Sequence, residues 1–433
     1  MAEFIAETDK MQVWKYTITE FTLILPSSTI NIPTERITGL TIENDYETNV
    51  FPIIQLSMIL EPSVYNQIIQ NKNDVKLKLR LQKFYTEVGK EDKSLYRDQF
   101  NTTFSLLMDD DYLDTDTYID LETKTNTDDD ASDVNKLDQM DNKTSFPLFK
   151  YDTIQAMRTM INTVLINVSM IGALAYIGAT TKLNNLLVSP MENNTVYPEL
   201  LLPPQTALST IQYLDSEYGF YRSGSIIFFG IDHSYVLNYR GGCTAYAKDE
   251  IQETCIMIPE RGGRYGGMEG SLEKPDEKTK RNYILVRSEN IDVKNESISN
   301  DIIEGNNAVI VNTNTNTIIS ASGNSDQRGT GNSNVINTNT SNPWIGETYA
   351  AQKTASSAVI NVSCGDFDVA CINPNKKFSF LFEDTKSGEK YKGTYILTNS
   401  FLNFTKDGNN MSLNASMTFK RPSKEISVSS EEL

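Results

Sequence analysis

The stretch DVKLKLRLQKFY, residues 74–85, alternates without a break, with Val75, Leu77, Leu79 and Leu81 on one side and Lys76, Lys78, Arg80 and Gln82 on the other. A strict period of two is a strand with one buried and one wet face, as in the wall of an antiparallel sandwich or barrel. The residues before it agree. In DYETNVFPIIQLSMIL, 45–60, Ile54, Leu56, Met58 and Leu60 alternate with Ile53, Gln55, Ser57 and Ile59. Between the two, Pro62 opens a short helix in EPSVYNQIIQN that turns Val64, Tyr65, Ile68 and Ile69 inward.

The same patterning returns near the C-terminus. KFSFLFED alternates Phe378, Phe380 and Phe382, TKSGEK turns, YKGTYILTNSFLNF runs on, and KDGNN turns again. MSLNASMTFKR then sets Met411, Leu413, Ala415, Met417 and Phe419 against Ser412, Asn414, Ser416 and Thr418. Between these β-rich ends lies LLPPQTALSTIQYLDSEYGFYRSGSIIFFG, 201–230. Pro203 and Pro204 suit the first turn of a helix, Ala207, Leu208, Ile211, Leu214 and Tyr218 fall on one face, and Gly219 is placed to end it. A strand pair, SIIFFGIDHSYVLNY, follows, and a further strand is expected around QETCIMIP.

At 433 residues the chain exceeds the size at which a single core keeps growing, so two or three domains are expected. Two segments interrupt the pattern. Residues 108–145 are dominated by carboxylates and read as an insertion loop, with too little apolar area to offset the entropy of ordering. Asp109, Asp111, Asp114 and Asp116 have a calcium-like spacing, but the central Gly and terminal Glu of a calcium loop are not at their offsets, so a solvated acidic loop is the reading. Residues 260–343 are rich in Gly, Asn and Thr, with near repeats VNTNTNT at 311–317 and VINTNTS at 335–341, too few for a solenoid.

The net charge of −18 argues against binding along nucleic acid, which needs Lys and Arg to displace counterions. The apolar run VLINVSMIGALAYIGA, 164–179, is interrupted by Asn167 and Ser169 and falls short of the ~20 residues of a bilayer span. It is expected to be a buried helix or a surface hidden at a subunit contact, with no stable membrane insertion. MAEFIAETDKMQ shows no secretory pattern, so synthesis in the cytoplasm is expected.

Searching for chemistry yields no constellation. The sole histidine, His233, follows Asp232 in a strand-like setting, where neighbours point to opposite faces and do not form a dyad. Cys243, Cys255, Cys364 and Cys371 show no CxxC pair, and buried thiols are the default. RGGRYGGMEGS, 261–271, lacks phosphate-loop spacing and reads as a mobile loop, and Trp14 and Trp344 alone make a poor sugar cleft for a carboxylate pair. No catalytic, cofactor-binding or metal residue is assigned, no cofactor is expected, and the chain is read as no enzyme.

Taken in order, ITGLTIENDYETNVFPIIQLSMILEPSVYNQIIQNKNDVKLKLRLQKF, LLLPPQTALSTIQYLDSEYGFYRSGSIIFFGIDHSYVLNY and GTYILTNSFLNFTKDGNNMSLNASMTFKRP resemble the central baseplate hub proteins of phage tails, to which type VI secretion spike proteins are related. The resemblance covers the first hundred residues, the 200–240 unit and the last sixty or so. It implies an α+β, mainly β chain: a first hub β-barrel at 1–105, an acidic insertion loop at 106–145, a helical and α/β domain at 146–240 bracing the subunit, a second hub β-barrel at 241–425 with an insertion at about 260–345, and a tail at 426–433. The function it implies is that of a structural virion protein at the tail baseplate or tip of a contractile injection system. A homotrimer would adapt a sixfold tail tube, or a distal tail protein, to a threefold central spike or tail-tip protein. Tape measure and baseplate wedge proteins would be further neighbours, and DNA would pass through the ring on ejection without sequence-specific binding. Two other readings stand beside it: a peripheral receptor-binding or baseplate protein, and a tail-associated cell-wall hydrolase.

Overall fold

The computed structural model of the chain describes residues 7–71, 74–85, 96–106, 142–183, 185–240, 253–263, 265, 267–295, 308–312, 317–322, 334–338, 342, 344–356 and 358–422. The acidic residues Asp109, Asp111, Asp114 and Asp116, Cys243 and the 426–433 tail lie outside them, whereas 142–145 begin the strand Asn142–Lys150.

The class is mainly β, built around a closed eight-stranded antiparallel barrel. Around the wall run Trp14–Ile24, Lys76–Tyr85, Arg97–Leu106, Asn142–Lys150, Ile53–Leu60, Ile37–Asp45, Ile396–Asp407 and Asn410–Lys420. The last strand meets the first again at Tyr16 and Met411, which closes the ladder and removes two sheet edges. Val75, Leu77, Leu79 and Leu81 point into the barrel and are almost wholly buried, as are Ile54, Leu56, Met58 and Leu60 across it. The opposite face is wet and ionic: Lys78 Nζ lies 2.6 Å from Glu20 Oε1, and Arg80 pairs with Asp98 at 2.7 Å.

Barrel membership crosses the segment boundaries expected from the sequence. The strands at 396–420 were expected in a second barrel, yet they complete the wall begun by the first hundred residues, because their buried faces match Ile37–Asp45 over a seven-pair register from Asn399↔Asp45 to Thr405↔Gly39. The strand Glu253–Ile258, expected in that same second barrel, instead joins a five-stranded mixed sheet, parallel to both Arg281–Leu285 and Lys377–Phe382 and completed by Gly270–Leu272 and Met11–Gln12. This sheet packs on the barrel through Trp14, whose Nε1 donates to Ser271 O at 3.3 Å, and through Tyr16, whose hydroxyl donates to Phe367 O at 2.8 Å. Trp14 is therefore core rather than a sugar-stacking ring. TKSGEK, expected as a turn, is a short helix capped by Asp384, which accepts from Lys386 N and Ser387 N.

Residues 151–238 form a third body with its own core of Leu174, Ile177, Leu200, Leu202, Ile211, Leu214, Phe220 and Tyr221. Pro203 and Pro204 lie at the end of the strand Val196–Thr206, where its register with Met160–Ser169 shifts between Leu202 and Gln205, and the helix begins only at Ala207. The expected first-turn placement is thus displaced by a bulge, which tolerates residues that cannot donate to the ladder, while Thr206 supplies the cap by accepting from Ser209 N. Gly219 ends the helix as expected, with φ 71° and ψ 136°. The body docks on the barrel at the 45–51 turn: Phe229 N donates to Val50 O at 2.8 Å, and the Tyr46 and Phe228 rings meet edge to face at 4.6 Å.

Candidate functional site

The aromatics at the helix–strand junction build rigidity. Tyr221 Oη shares its single proton between Ser189 O at 2.8 Å and Val236 O at 3.0 Å, tying two neighbouring segments together from the inside. Asp215 closes the turn after the helix, its Oδ1 accepting from Phe220 N at 3.1 Å and Ser225 Oγ at 2.7 Å. Burial pushes the Asp215 carboxyl above its ordinary range.

Asp232 and His233 lie in the turn between the strands Ser225–Phe229 and Ser234–Asn238, outside the strand setting expected for them. Their backbone does the structural work there: Gly230 N donates to His233 O at 3.0 Å, and Lys150 Nζ donates to the neighbouring Ile231 O at 2.7 Å. Cys255, Cys364 and Cys371 are buried. Burial raises the Cys364 thiol well above its usual value and pushes Cys371 up to about 12, so both are held as unreactive thiols at neutral pH. Among the described residues no group of three or more acidic, His or Cys side chains is placed to hold a metal ion, and no helix is long and apolar enough to cross a membrane.

The feature that stands out is a surface. Residues 164–179 do not form one helix: the strand Met160–Ser169 runs into the helix Met170–Thr181 at Ser169, whose hydroxyl accepts from Gly172 N. The helix buries Met170, Ala173, Leu174 and Ile177, spaced for one face. The strand is paired only with Val196–Thr206 among the described residues, so the two form a ribbon with one face on the core and one outward. Ile161, Leu200 and Leu202 face the core. Outward, Met160 is 61% exposed, Val164 50%, Ile166 61% and Leu201 56%, with Val164 directly opposite Leu201.

Ile171, Tyr176 and Val196 are exposed in the same body, so seven of the eleven exposed large apolar side chains among the described residues belong to it. The barrel wall shows its solvent face as lysine, arginine and carboxylate, whereas this ribbon shows mainly aliphatic carbon, interrupted by exposed Glu199 opposite Ile166. Burial of such a face against another surface would be favourable at roughly 25 cal/mol per Å². The apolar run itself was legible in the sequence; its division into an exposed strand face and a half-buried helix was not, because alternation from Met160 to Ile166 carries apolar residues on both faces.

Residues 10–422 match the sequence family described as the Bacteriophage PBS1 gene 109 protein. The chain belongs to this family. Its match spans the barrel, the mixed sheet and the bracing body together. A search of curated proteins finds no match. Among solved structures the family member is similar to a tail protein from Neisseria meningitidis MC58, with 6% identity, a TM-score of 0.48 and coverage of 94% of this chain and 96% of that one. It is similar to the 43 kDa tail protein of prophage MuSo2 from Shewanella oneidensis, with 8% identity, a TM-score of 0.46 and coverage of 93% and 99%. A third likeness is to an E. coli component of the type VI secretion system, with 8% identity, a TM-score of 0.42 and coverage of 90% and 74%. The phage resemblance read from the sequence agrees with the family that matches residues 10–422.

Proposed function

We propose that this chain is a structural subunit of a phage or phage-like tail, the hub of its baseplate or tail tip. Three copies form a ring that adapts the sixfold tail tube to a threefold spike or tip and surrounds the channel through which the genome leaves. The reading is carried by membership of a phage protein family over residues 10–422, a span that includes every strand of the closed barrel. Two physical features support it. A closed, fully packed barrel braced by a second core is a stiff ring component. A chain of net charge −18 repels a phosphate backbone, which lets DNA slide past rather than adhere. The part requires no catalysis: the buried thiols and the Asp232–His233 turn have structural work in this fold.

The deciding experiment is particle imaging of purified tails with the chain labelled at its C-terminus, alongside the mass of the isolated protein. Label on the tail axis at the baseplate or tip, in a threefold ring with a central opening, is the expected result. Label on peripheral fibres, or none on tails, would sink the hub reading.

A further inference from the structure

We infer that the mouth of the barrel is a binding chamber for a small, neutral aromatic molecule whose edge carries both a hydrogen-bond donor and an acceptor. The inference is independent of the hub reading, which neither requires nor supplies it.

The chamber measures about 200 Å³ and lies where the barrel, the bracing body and the connection leading into the mixed sheet meet. Tyr46, Phe100 and Phe404 wall it from the barrel side and Phe228 from the bracing body, all four buried, and residues 230–233 and 369–374 cover it. It opens through a wider cleft of about 450 Å³ that shares Gln99, Phe100, Asp232, His233 and Ala370 among its walls. Barrel mouths and junctions between domains are where ligand pockets form. An apolar cavity of ~150 Å³ admits benzene, so this one has room for a ring with a small substituent.

The recognition groups are side-chain amides. Gln82 pairs with Asp98 and Leu81 with Phe100, so Gln99 is the extra residue of a bulge, a device that re-aims a side chain out of the ladder. Its amide makes no hydrogen bond with the described residues, and its Oε1 is buried without a donor. Asn44, also in the lining, donates one N–H to Ser400 Oγ at 3.0 Å, while its Oδ1 accepts from no described residue. A buried carbonyl without a donor costs about as much as a lost hydrogen bond, so an occupant with an N–H beside an acceptor is favoured over a purely apolar one.

The chamber has no buried charge to meet an ion. Lys83 and Lys150 line only the outer cleft, where Asp368 and Ile231 O engage them. Asp232, the one carboxylate in the chamber lining, is exposed to solvent in its turn. An ion entering between the rings would lose hydration without gaining a partner, whereas a neutral ring would not.

The test is titration of the full chain with benzamide, whose ring carries an N–H donor and a carbonyl acceptor, followed by calorimetry and ligand-observed NMR. Acetophenone lacks the donor, benzoate is charged, and acetamide lacks the ring. Benzamide should bind saturably with a Kd of about 1 mM or lower, acetophenone about 5-fold more weakly, and benzoate and acetamide not measurably. Gln99→Leu, close in volume, should bring benzamide down to the acetophenone value. Ala370→Trp, at an exposed position on the passage from cleft to chamber, should abolish binding while thermal melting shows an unchanged fold. Absence of saturable benzamide binding to wild type at ~10 mM overturns the inference. So does equal affinity for benzamide and acetophenone, a preference for benzoate, which would move recognition to the cleft lysines, or full affinity in folded Ala370→Trp. Should Gln99→Leu fail to fold, the benzamide–acetophenone ratio on wild type and the loss in Ala370→Trp still decide.

Discussion

Lys83 and Asp368, far apart in the chain, meet at 2.6 Å between Nζ and Oδ1 with only 9% and 12% of their side chains exposed. Lys83 ends a barrel strand, and Asp368 opens the short helical turn Val369–Cys371 beside the mixed sheet, its Oδ1 also accepting from Ala370 N. The pair is a polar rivet between the barrel and its neighbour, placed beside the Trp14 and Tyr16 contacts.

Removing one partner of this pair strands the other charge in a poorly hydrated site. Lys83→Met is expected to cost about 3–5 kcal/mol in urea unfolding at neutral pH. The double variant with Asp368→Asn should lose much less than the sum of the two single changes. A single variant within about 1 kcal/mol of wild type would show that water already reaches the pair.

Gly219 ends the central helix of the bracing body at φ 71°, and a Cβ there would lie 2.7 Å from Asn342 Oδ1. Asn342 in turn donates from Nδ2 to Asp215 O at 3.3 Å and from its backbone to Ser216 O at 3.2 Å. Gly219→Ala therefore carries both a backbone penalty and a steric one, together about 1–3 kcal/mol. Measured in a double-mutant cycle with Asn342→Ala, the two changes should be non-additive, the second relieving part of the first. Strict additivity would separate the strain from the contact.

Asp215 gives a pH signature. Burial raises its folded pKa, so between the ordinary carboxyl value near ~3.9 and the raised value the folded state binds more protons than the unfolded one. Stability from this group therefore increases on acidification through that window and is lowest above it. Asp215→Asn, which keeps an oxygen for Phe220 N and Ser225 Oγ, should remove that component from the difference between wild-type and variant unfolding curves at pH 4 to 7. A constant difference across this range would place the titration elsewhere.

Thiol chemistry reports on the core. In a Cys243→Ser background, Cys255, Cys364 and Cys371 should react with an aromatic disulfide reagent only as fast as the protein opens, because all three are buried and the Cys364 and Cys371 thiolates are disfavoured by desolvation. Rapid modification of Cys371 in folded protein would show that the Val369–Cys371 turn opens on its own.

Alternation at 75–81, 54–60 and 411–419 was enough to place strands and to say which side is wet, since a side chain's face on a strand is set by local geometry. The Gly219 stop was equally legible, because only glycine takes that backbone angle without penalty. Local signals failed where a neighbour decided. Pro203 and Pro204 satisfy a helix start as well as a bulged strand end, and pairing with Met160–Ser169 selected the strand.

The sequence by itself determined the mainly β class and the buried faces, both of which follow from residue type and spacing. Only the tertiary structure decided that the strands at 396–420 close the barrel begun at Trp14, because ladder partners are chosen by matching faces across long chain separations that no local pattern encodes. It also decided that the uncharged stretch after Arg158 is half core and half surface, since burial depends on which neighbouring elements remain to cover each face.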